Sequence, residues 1–305
     1  MRQTEERYIS LLTDFGFKRI FGTAPNRDLL IDFLNSLFNG EQVIKHVTFL
    51  NSEHVGDVFT ERKAIFDVYC ENEHGEKFIV EMQNAYQTFF KDRSLYYATF
   101  PIREQASKGE NWNFELQHVY VVALLNYEMS DEAFSNESIN HDVGLLDKQT
   151  HRVFNDKLTF KYVEIAKFNK SVEQLTTNFD KWLYVLRNLS RLDAQPRYLK
   201  NEVFNRLFKA AEIAHFSKTE LREYEDSLKA YRDIKNSLDS AEAKGLEKGL
   251  AEGLAKGRAE GRAEGVIEGE QKKTREIAAK MKSNGISIDD IMHMTGLSRE
   301  EISNL

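Results

Sequence analysis

Apolar and polar positions alternate along residues 64–84, on both sides of a polar stretch that contains a glycine. β-Branched and aromatic runs that flank such a stretch predict a β-hairpin. A turn centred near His74 places Asp67 opposite Glu81, with Gln83 on the same face. The other face is apolar on both strands, which predicts that it faces the core. Its members are Phe66, Val68, Cys70, Phe78, Val80 and Met82.

The polar face of this hairpin carries two carboxylates, Asp67 and Glu81. Their Cβ atoms would lie about 5 Å apart, a distance at which like charges destabilise a cross-strand pair. One carboxyl group can hold a proton, or a hard divalent cation such as Mg²⁺ can bind between them. A cation-bound water can act as the nucleophile on a phosphate. The alternative is a solvated hairpin face in a different register.

Hydrophobic spacing elsewhere predicts a sheet with helices on both sides. Residues 5–38 have helical spacing with a break at 22–26, and residues 89–108 form a further helix between strands. Strands are predicted at residues 42–51, 60–71, 77–83 and 118–126, with one or two more at 151–168. This order of elements indicates an α/β or α+β sheet sandwich.

Two pairs of side chains lie four residues apart on predicted helices. Asp14 and Lys18 share a face, which by itself favours a surface ion pair. Arg93 and Tyr97 also share a face. An arginine fork suits phosphate, and a tyrosine stacks or donates a hydrogen bond. An amphipathic helix whose arginine pairs with a carboxylate explains the second pair equally well.

Taken together, these motifs resemble a known family. An Asp on the first strand of a hairpin with Glu-x-Lys on the second resembles the metal site of PD-(D/E)XK nucleases. Here glutamine occupies the lysine position. With the motifs at either side, the chain resembles the recombination-promoting nuclease (putative transposase) family over roughly residues 10–130. The motifs that carry the resemblance are Asp14-x-x-Phe17-Lys18, Asp67, Glu81-Met82-Gln83 and Arg93-x-x-x-Tyr97.

The resemblance implies a PD-(D/E)XK-like mixed sheet flanked by helices and a metal-dependent DNA endonuclease. Mg²⁺, or Mn²⁺ in its place, would be held by Asp67, Glu81 and the Met82 carbonyl. The implied catalytic residues are Asp67, Glu81, Gln83, Asp14 and Lys18, and the implied DNA contacts are Arg93 and Tyr97. Lys18 would supply the positive charge that Gln83 lacks. The glutamine leaves the rate of cleavage, and activity itself, an open question.

Bulk composition sets further limits. The 305 residues carry a net charge of −7, which argues against a broad non-specific grip on nucleic acid but leaves room for a local basic cleft. The single cysteine excludes an intrachain disulfide and a cysteine-based zinc cluster. No 18-residue apolar run and no basic-then-apolar leader is present. We therefore expect a cytoplasmic protein without membrane contact, whereas DNA as its partner is what the resemblance implies.

Glycine recurs at every fourth residue in the tail, from Gly245 to Gly269. Each glycine costs a helix about 0.8–1 kcal/mol relative to alanine, so an isolated straight helix is a poor prospect. A flexible linker and a self-associating helical seam are equally good interpretations. The predicted domains are a nuclease domain at 1–168, a helical region at 169–240, this repeat at 241–271 and a small helical module at 272–305.

The spacing within residues 272–305 resembles a helix-turn-helix, with Ser287 and Ser298 as helix caps. Its last helix begins Arg299-Glu300-Glu301, and this acidity suits a phosphate-lined groove badly. A small packing or docking module is therefore favoured over DNA reading.

Two functions of different classes compete. The first is a metal-dependent DNA endonuclease that promotes recombination or element mobility. The second is a catalytically weak or inactive protein of the same fold, which acts as a homo-oligomeric assembly or DNA-binding module through its helical tail.

Overall fold

The computed structural model describes residues 6–54, 64–106, 113–129, 133–134 and 137–305. The chain divides into two compact units, Met1–Ser237 and Leu238–Leu305. Within the described residues, no helix combines the length and apolar character needed to cross a membrane.

The first unit is built on a mixed six-stranded sheet, which confirms the predicted fold class. The strands are β1 (Val47–Phe49), β2 (Glu53–His54), β3 (Ala64–Ile65), β4 (Val68–Asn72), β5 (Lys77–Gln83), β6 (Val119–Leu125), β7 (Asn140–Leu146) and β8 (Val153–Glu164). The sheet order is β1-β4-β5-β6-β8-β7, and β2 pairs with β3 separately. β6 runs parallel to both β5 and β8, whereas the other neighbours are antiparallel.

Helices cover both faces of this sheet. They are α1 (Asp14–Phe21), α2 (Arg27–Phe38), α3 (Phe90–Glu104), α4 (Asn178–Asn188), α5 (Glu202–Ala211) and the start of α6 (Lys218–Ser283). One face packs against α1, α2, α4 and α5 around the fully buried Trp182, whose Nε1 donates to Asp32 at 2.6 Å. The other face packs against α3. Because both faces are covered, β6 is apolar and buried along its whole length, as its continuous apolar run indicates.

The structure departs from the sequence prediction at three places in this unit. Residues 6–13 are not helical: Tyr8 forms a β-bridge with Glu212, and a turn at residues 11–13 leads into α1. The Ile9 N–H donates to the Ala211 carbonyl. Phe66 belongs to the core beside α3 rather than to the opposite core, because a bend at Asp67 interrupts the alternation. β7 was not predicted, and the predicted strand residues 60–63 lie outside the described part.

The division between the two units falls within α6, which continues as helix through all seven repeat glycines. The repeat is therefore helical, as the helical-seam interpretation requires, and not the flexible linker that was the alternative. All seven glycines are exposed, and a Cβ at any of them would meet nothing within 4 Å. Exposed pairs at i,i+4 support the helix here, such as Lys248–Glu252 at 3.7 Å.

The second unit ends in α7 (Ile288–Thr295) and α8 (Arg299–Ser303), which pack on α6 through a small core. Both predicted caps are present: the hydroxyl of Ser287 accepts from the Asp290 N–H, and Ser298 forms a full capping box with Glu301. The fully buried residues of this core are Ala278, Ile291 and Ile302.

Candidate active site

The β4–β5 hairpin has the register that the sequence predicts. Val68 lies opposite Val80 and Tyr69 opposite Ile79, so the same register continued by one residue sets Asp67 opposite Glu81. Asp67 itself lies in the bend between β3 and β4. The bend turns a polar residue out of an apolar strand, and it brings the carboxylate of Asp67 to the end of β5.

Two reciprocal hydrogen bonds hold the carboxylates of Asp67 and Glu81 at this point. The Asp67 N–H donates to Oε1 of Glu81 at 3.2 Å, and the Met82 N–H donates to Oδ2 of Asp67 at 2.8 Å. Each carboxylate is therefore oriented by the backbone of the opposite segment. Glu81 is only 5% exposed, whereas Asp67 is partly open to solvent.

Burial and mutual repulsion control the protonation of the pair. Burial, together with the charge of Asp67, raises the pKa of Glu81 to about 8. Burial also raises the pKa of Asp67, although the Met82 N–H and the charge of Lys18 oppose the rise. Within the described residues, no lysine or arginine nitrogen lies within 4 Å of either carboxylate. The described part of the chain therefore supplies no direct cationic partner to the pair.

Gln83 links the pair to α3. Its Nε2 donates to Oε2 of Glu81 at 3.2 Å, and its Oε1 accepts from Nη2 of Arg93 at 2.6 Å. A second guanidinium nitrogen of Arg93 donates to Gln87 at 2.6 Å. The predicted DNA-contact residue Arg93 thus reaches the carboxylates through the glutamine.

Asp14 and Lys18 form the predicted ion pair on α1, with Nζ and Oδ1 2.7 Å apart. Burial tends to lower the pKa of Lys18, but Asp14 and, more weakly, Asp67 and Glu81 raise it. The Lys18 ammonium in turn favours the ionised form of Glu81. Both residues of the ion pair therefore border the site. Lys18 contributes a positive charge from α1 that acts on both carboxylates.

Sequence reasoning missed the contact that positions α1 beside the hairpin. Asn84, directly after β5, donates from Nδ2 to the Leu12 carbonyl at 2.6 Å. Gly16 permits the tight turn into α1, since a Cβ there would lie 2.1 Å from the Ser10 carbonyl oxygen. The sequence did contain a signal for the contact between Asn84 and Leu12, because Asn84 is a polar residue that directly follows a buried strand.

Tyr97 lies at the edge of the site, where its ring packs edge-on against Phe66 at 5.1 Å. Burial raises the pKa of its hydroxyl, and the charge of Glu81 adds to the rise. The guanidinium of Arg93 lies 5.6 Å from the centre of the same ring. The structure therefore brings Asp67, Glu81, Gln83, Asp14, Lys18, Arg93 and Tyr97 into one electrostatic neighbourhood.

The donor set fits a hard divalent cation. Two carboxylates face each other with no ion-pair partner among the described residues, and both offer oxygen, the donor that Mg²⁺ prefers. Among the residues that the structure describes, no three His, Cys, Asp or Glu side chains are grouped around one point. Water would therefore complete the coordination, as is usual for Mg²⁺, which keeps several waters.

A second buried carboxylate, Glu164 at the end of β8, differs in its partners. Its side chain is fully buried and accepts from the Met129 N–H, while Nε2 of His141 lies 2.8 Å and Nζ of Lys167 lies 2.5 Å from Oε2. Burial alone would raise the pKa of Glu164, but these hydrogen bonds, that of Lys167 foremost, hold the pKa below its usual range. This cluster is internally neutralised.

Two family models match the chain. One, described as PD-(D/E)XK nuclease family transposase, matches residues 11–241. The other, described as Rpn/YhgA-like nuclease family, C-terminal HTH domain, matches residues 271–305. No curated protein and no solved structure matches. The first match covers more than half of the chain and includes both carboxylates, and the second covers the segment whose spacing resembles a helix-turn-helix.

Proposed function

The chain belongs to the PD-(D/E)XK nuclease family transposases, and from this membership we propose that it is a metal-dependent DNA endonuclease. The family supports a nuclease- or transposase-like function, and the C-terminal HTH match supports DNA as the partner. In detail, we propose that the protein hydrolyses phosphodiester bonds of DNA with Mg²⁺, or Mn²⁺ in its place, and that this cleavage promotes recombination or element mobility.

The observation that carries this proposal is the reciprocal arrangement of Asp67 and Glu81. Backbone N–H groups fix both carboxylates at the end of β5, and no described lysine or arginine pairs directly with either. A buried pair of like charges is costly unless something compensates it. A fold that retains such a pair at a strand end is best explained by a cation that binds there.

The cation would be held by Asp67 and Glu81, with the Met82 carbonyl as a further ligand. When bound, it supplies Lewis-acid stabilisation of the phosphate and a water of lowered pKa. Without it, the raised pKa of Glu81 means that the pair keeps a proton at neutral pH. A cation that binds to the pair would therefore compete with this proton.

The neighbouring cations complete the proposed site. Lys18 stands beside the carboxylates and favours negative charge on a phosphate, the role that lysine has in the commoner motif. Arg93 holds Gln83 through Nη2, so Gln83 is oriented from both sides. We assign Gln83 to positioning Glu81 and the attacking water, because an amide can neither carry charge nor act as a base. Arg93 and Tyr97 are the proposed contacts to DNA.

A plasmid-nicking assay with and without Mg²⁺ tests the proposal. Asp67→Ala is expected to reduce nicking at least about 100-fold while the melting temperature is retained, since it removes a like charge without emptying the core. Asp156→Ala is the matched control, because that carboxylate is 75% exposed on β8. Nicking by Asp67→Ala at the parental rate would exclude Asp67 as a ligand.

The α6 segment supports a second copy of the chain as a further partner. Leu246, Leu250 and Leu254 recur every fourth residue and are 57–66% exposed, beside the small glycine positions. Such a stripe of leucines favours a helical seam between chains. Sedimentation of the full chain tests this, and a single-chain mass would overturn it.

The boundaries of the four predicted domains stay predictions.

A further inference from the structure

An open groove of about 530 Å³ runs along the start of α3 and does not include Asp67 or Glu81. This volume lies within the roughly 300–1,000 Å³ of small-ligand pockets. The groove is open to solvent, and the proposed chemistry of Asp67 and Glu81 does not use it. Its lining residues are Gln87, Thr88, Phe89, Asp92, Arg93 and Tyr96.

Two exposed aromatic rings line this groove on one side of α3. Phe89 is 72% exposed and Tyr96 is 43% exposed. Phe89 directly precedes the helix, and Asp92, Arg93 and Tyr96 follow it at three, four and seven residues, which places all four on one helical face. Phe89 and Tyr96 thus offer exposed aromatic surface beside the guanidinium of Arg93, and this combination suits the flat face of a nucleic-acid base.

Arg93 connects the groove to the carboxylates. Its guanidinium lines the groove and also donates to Gln83, which in turn donates to Glu81. These two hydrogen bonds make the groove continuous with the carboxylates. A DNA strand bound at the carboxylates is therefore the occupant that this continuity favours.

We propose that this groove stacks an unpaired base, so that the enzyme acts on single-stranded or locally opened DNA. This inference rests on the proposed nuclease function and adds its substrate class. In a duplex, neighbouring base pairs cover the face of each base, so only an unpaired base can stack on Phe89. Aromatic stacking binds single strands without sequence preference.

The charge of the chain makes a stacking contact useful. A net charge of −7 gives little non-specific attraction to either form of DNA, because such binding depends on neutralised phosphates. Stacking adds affinity for an unpaired strand beyond that of phosphate contacts. Asp92 and Arg93 both line the groove, so their opposite charges offset each other beside the aromatic surface.

The test is a binding measurement that does not require cleavage. Fluorescence anisotropy of a short labelled oligonucleotide is measured as a single strand and as a duplex, with Mg²⁺, in the Asp67→Ala background. Adding Phe89→Ala is expected to weaken single-strand binding about 5- to 100-fold and to affect the duplex far less. Phe154→Ala is the matched control, since Phe154 is 80% exposed near the other end of β8 from Glu164.

Phe89→Trp shows whether loss of binding in Phe89→Ala comes from the missing ring or from misfolding. It keeps an aromatic face and is therefore expected to retain single-strand affinity. Equal single-strand affinity for Phe89→Ala and its parent would overturn the proposal. A change in mass by light scattering with unchanged DNA binding would also overturn it, since the face would then be a contact between protein chains.

The two proposals can fail separately. If wild-type protein cleaves no DNA but Phe89→Ala loses single-strand binding, the nuclease function fails and the stacking groove stands. If cleavage depends on Asp67 but Phe89→Ala binds single strands normally, the groove fails and the nuclease function stands.

Discussion

Glu81 and Glu164 are both buried at the carboxyl ends of strands in one sheet, yet their pKa values move in opposite directions. Glu164 has the ammonium of Lys167 at 2.5 Å, an imidazole and a backbone N–H. Glu81 has one backbone N–H, one amide and a second carboxylate. The pKa of Glu164 is lowered, and the pKa of Glu81 is raised to about 8.

The difference between these residues teaches how to separate a structural carboxylate from a functional one. Both side chains are almost inaccessible to solvent, so exposure alone does not distinguish them. The partners do: the cluster around Glu164 contains Lys167, whereas no lysine or arginine of the described residues pairs directly with Asp67 or Glu81. We therefore expect a cation from solution to bind at the Asp67–Glu81 pair and not at Glu164.

Replacing each region's charge should have opposite effects on stability, and this is the largest expected effect. Glu164→Gln takes the carboxylate from Lys167, and breaking such a buried pair costs about 3–5 kcal/mol. Asp67→Asn keeps an acceptor for the Met82 N–H but removes the like charge beside Glu81. It is expected to leave stability equal or higher at about pH 8 without metal. Urea unfolding measures both, and destabilisation by Asp67→Asn as large as that by Glu164→Gln would break the comparison.

The cation should stabilise the protein more as pH rises. In the folded, metal-free chain the pKa of Glu81 is raised from 4.5 to about 8. Between these values the folded state holds a proton that the unfolded state has released, so the contribution of Glu81 to stability is lost as pH rises towards about 8. Mg²⁺ should therefore raise the melting temperature by a few degrees more at about pH 9 than at about pH 6.

The control for this experiment is Glu81→Gln, in which the pH dependence of the Mg²⁺ effect should largely disappear. Glu164→Gln should keep the dependence, since its region binds no added cation. An Mg²⁺ effect that is independent of pH in the wild-type chain would contradict the assignment of Glu81.

Gln83→Lys sharpens the comparison by giving the Asp67–Glu81 pair a cation of its own. The lysine restores the commoner residue and can stabilise charge on the phosphate, while it costs the hydrogen bond from Arg93. We expect cleavage that is equal or up to about tenfold faster, and a lower pKa for Glu81. Initial nicking rates measure the change. A complete loss of cleavage would show that the amide of Gln83 makes an essential contact.

The sequence predicted the hairpin well because local information is sufficient there. Alternation on both sides of a short turn determines the pairing of Tyr69 with Ile79, and the structure has that pairing. The bend at Asp67 was not predictable from alternation, because a single residue outside the pleat exchanges the two faces. Phe66 was assigned to the wrong core for this reason.

Contacts between distant segments could not be predicted in the same way. β7 was missed because its residues are mostly exposed and it pairs only with β8. The partners of Glu164 include His141, which is 23 residues away and shows no recognisable spacing. The groove beside Phe89 likewise depends on how α3 is placed on the sheet. The candidate site residues could be named from the sequence because their motifs are local and resemble a family, and their roles stay predictions.

Calorimetric titration with Mn²⁺ tests the central claim, that Asp67 and Glu81 jointly bind a divalent cation, most directly. The wild-type chain is expected to bind one tight Mn²⁺ and to release protons at neutral pH, which buffers of different ionisation enthalpy reveal. Asp67→Ala should abolish this binding, whereas Asp156→Ala should preserve it. Tight binding by Asp67→Ala with unchanged proton release would contradict the account.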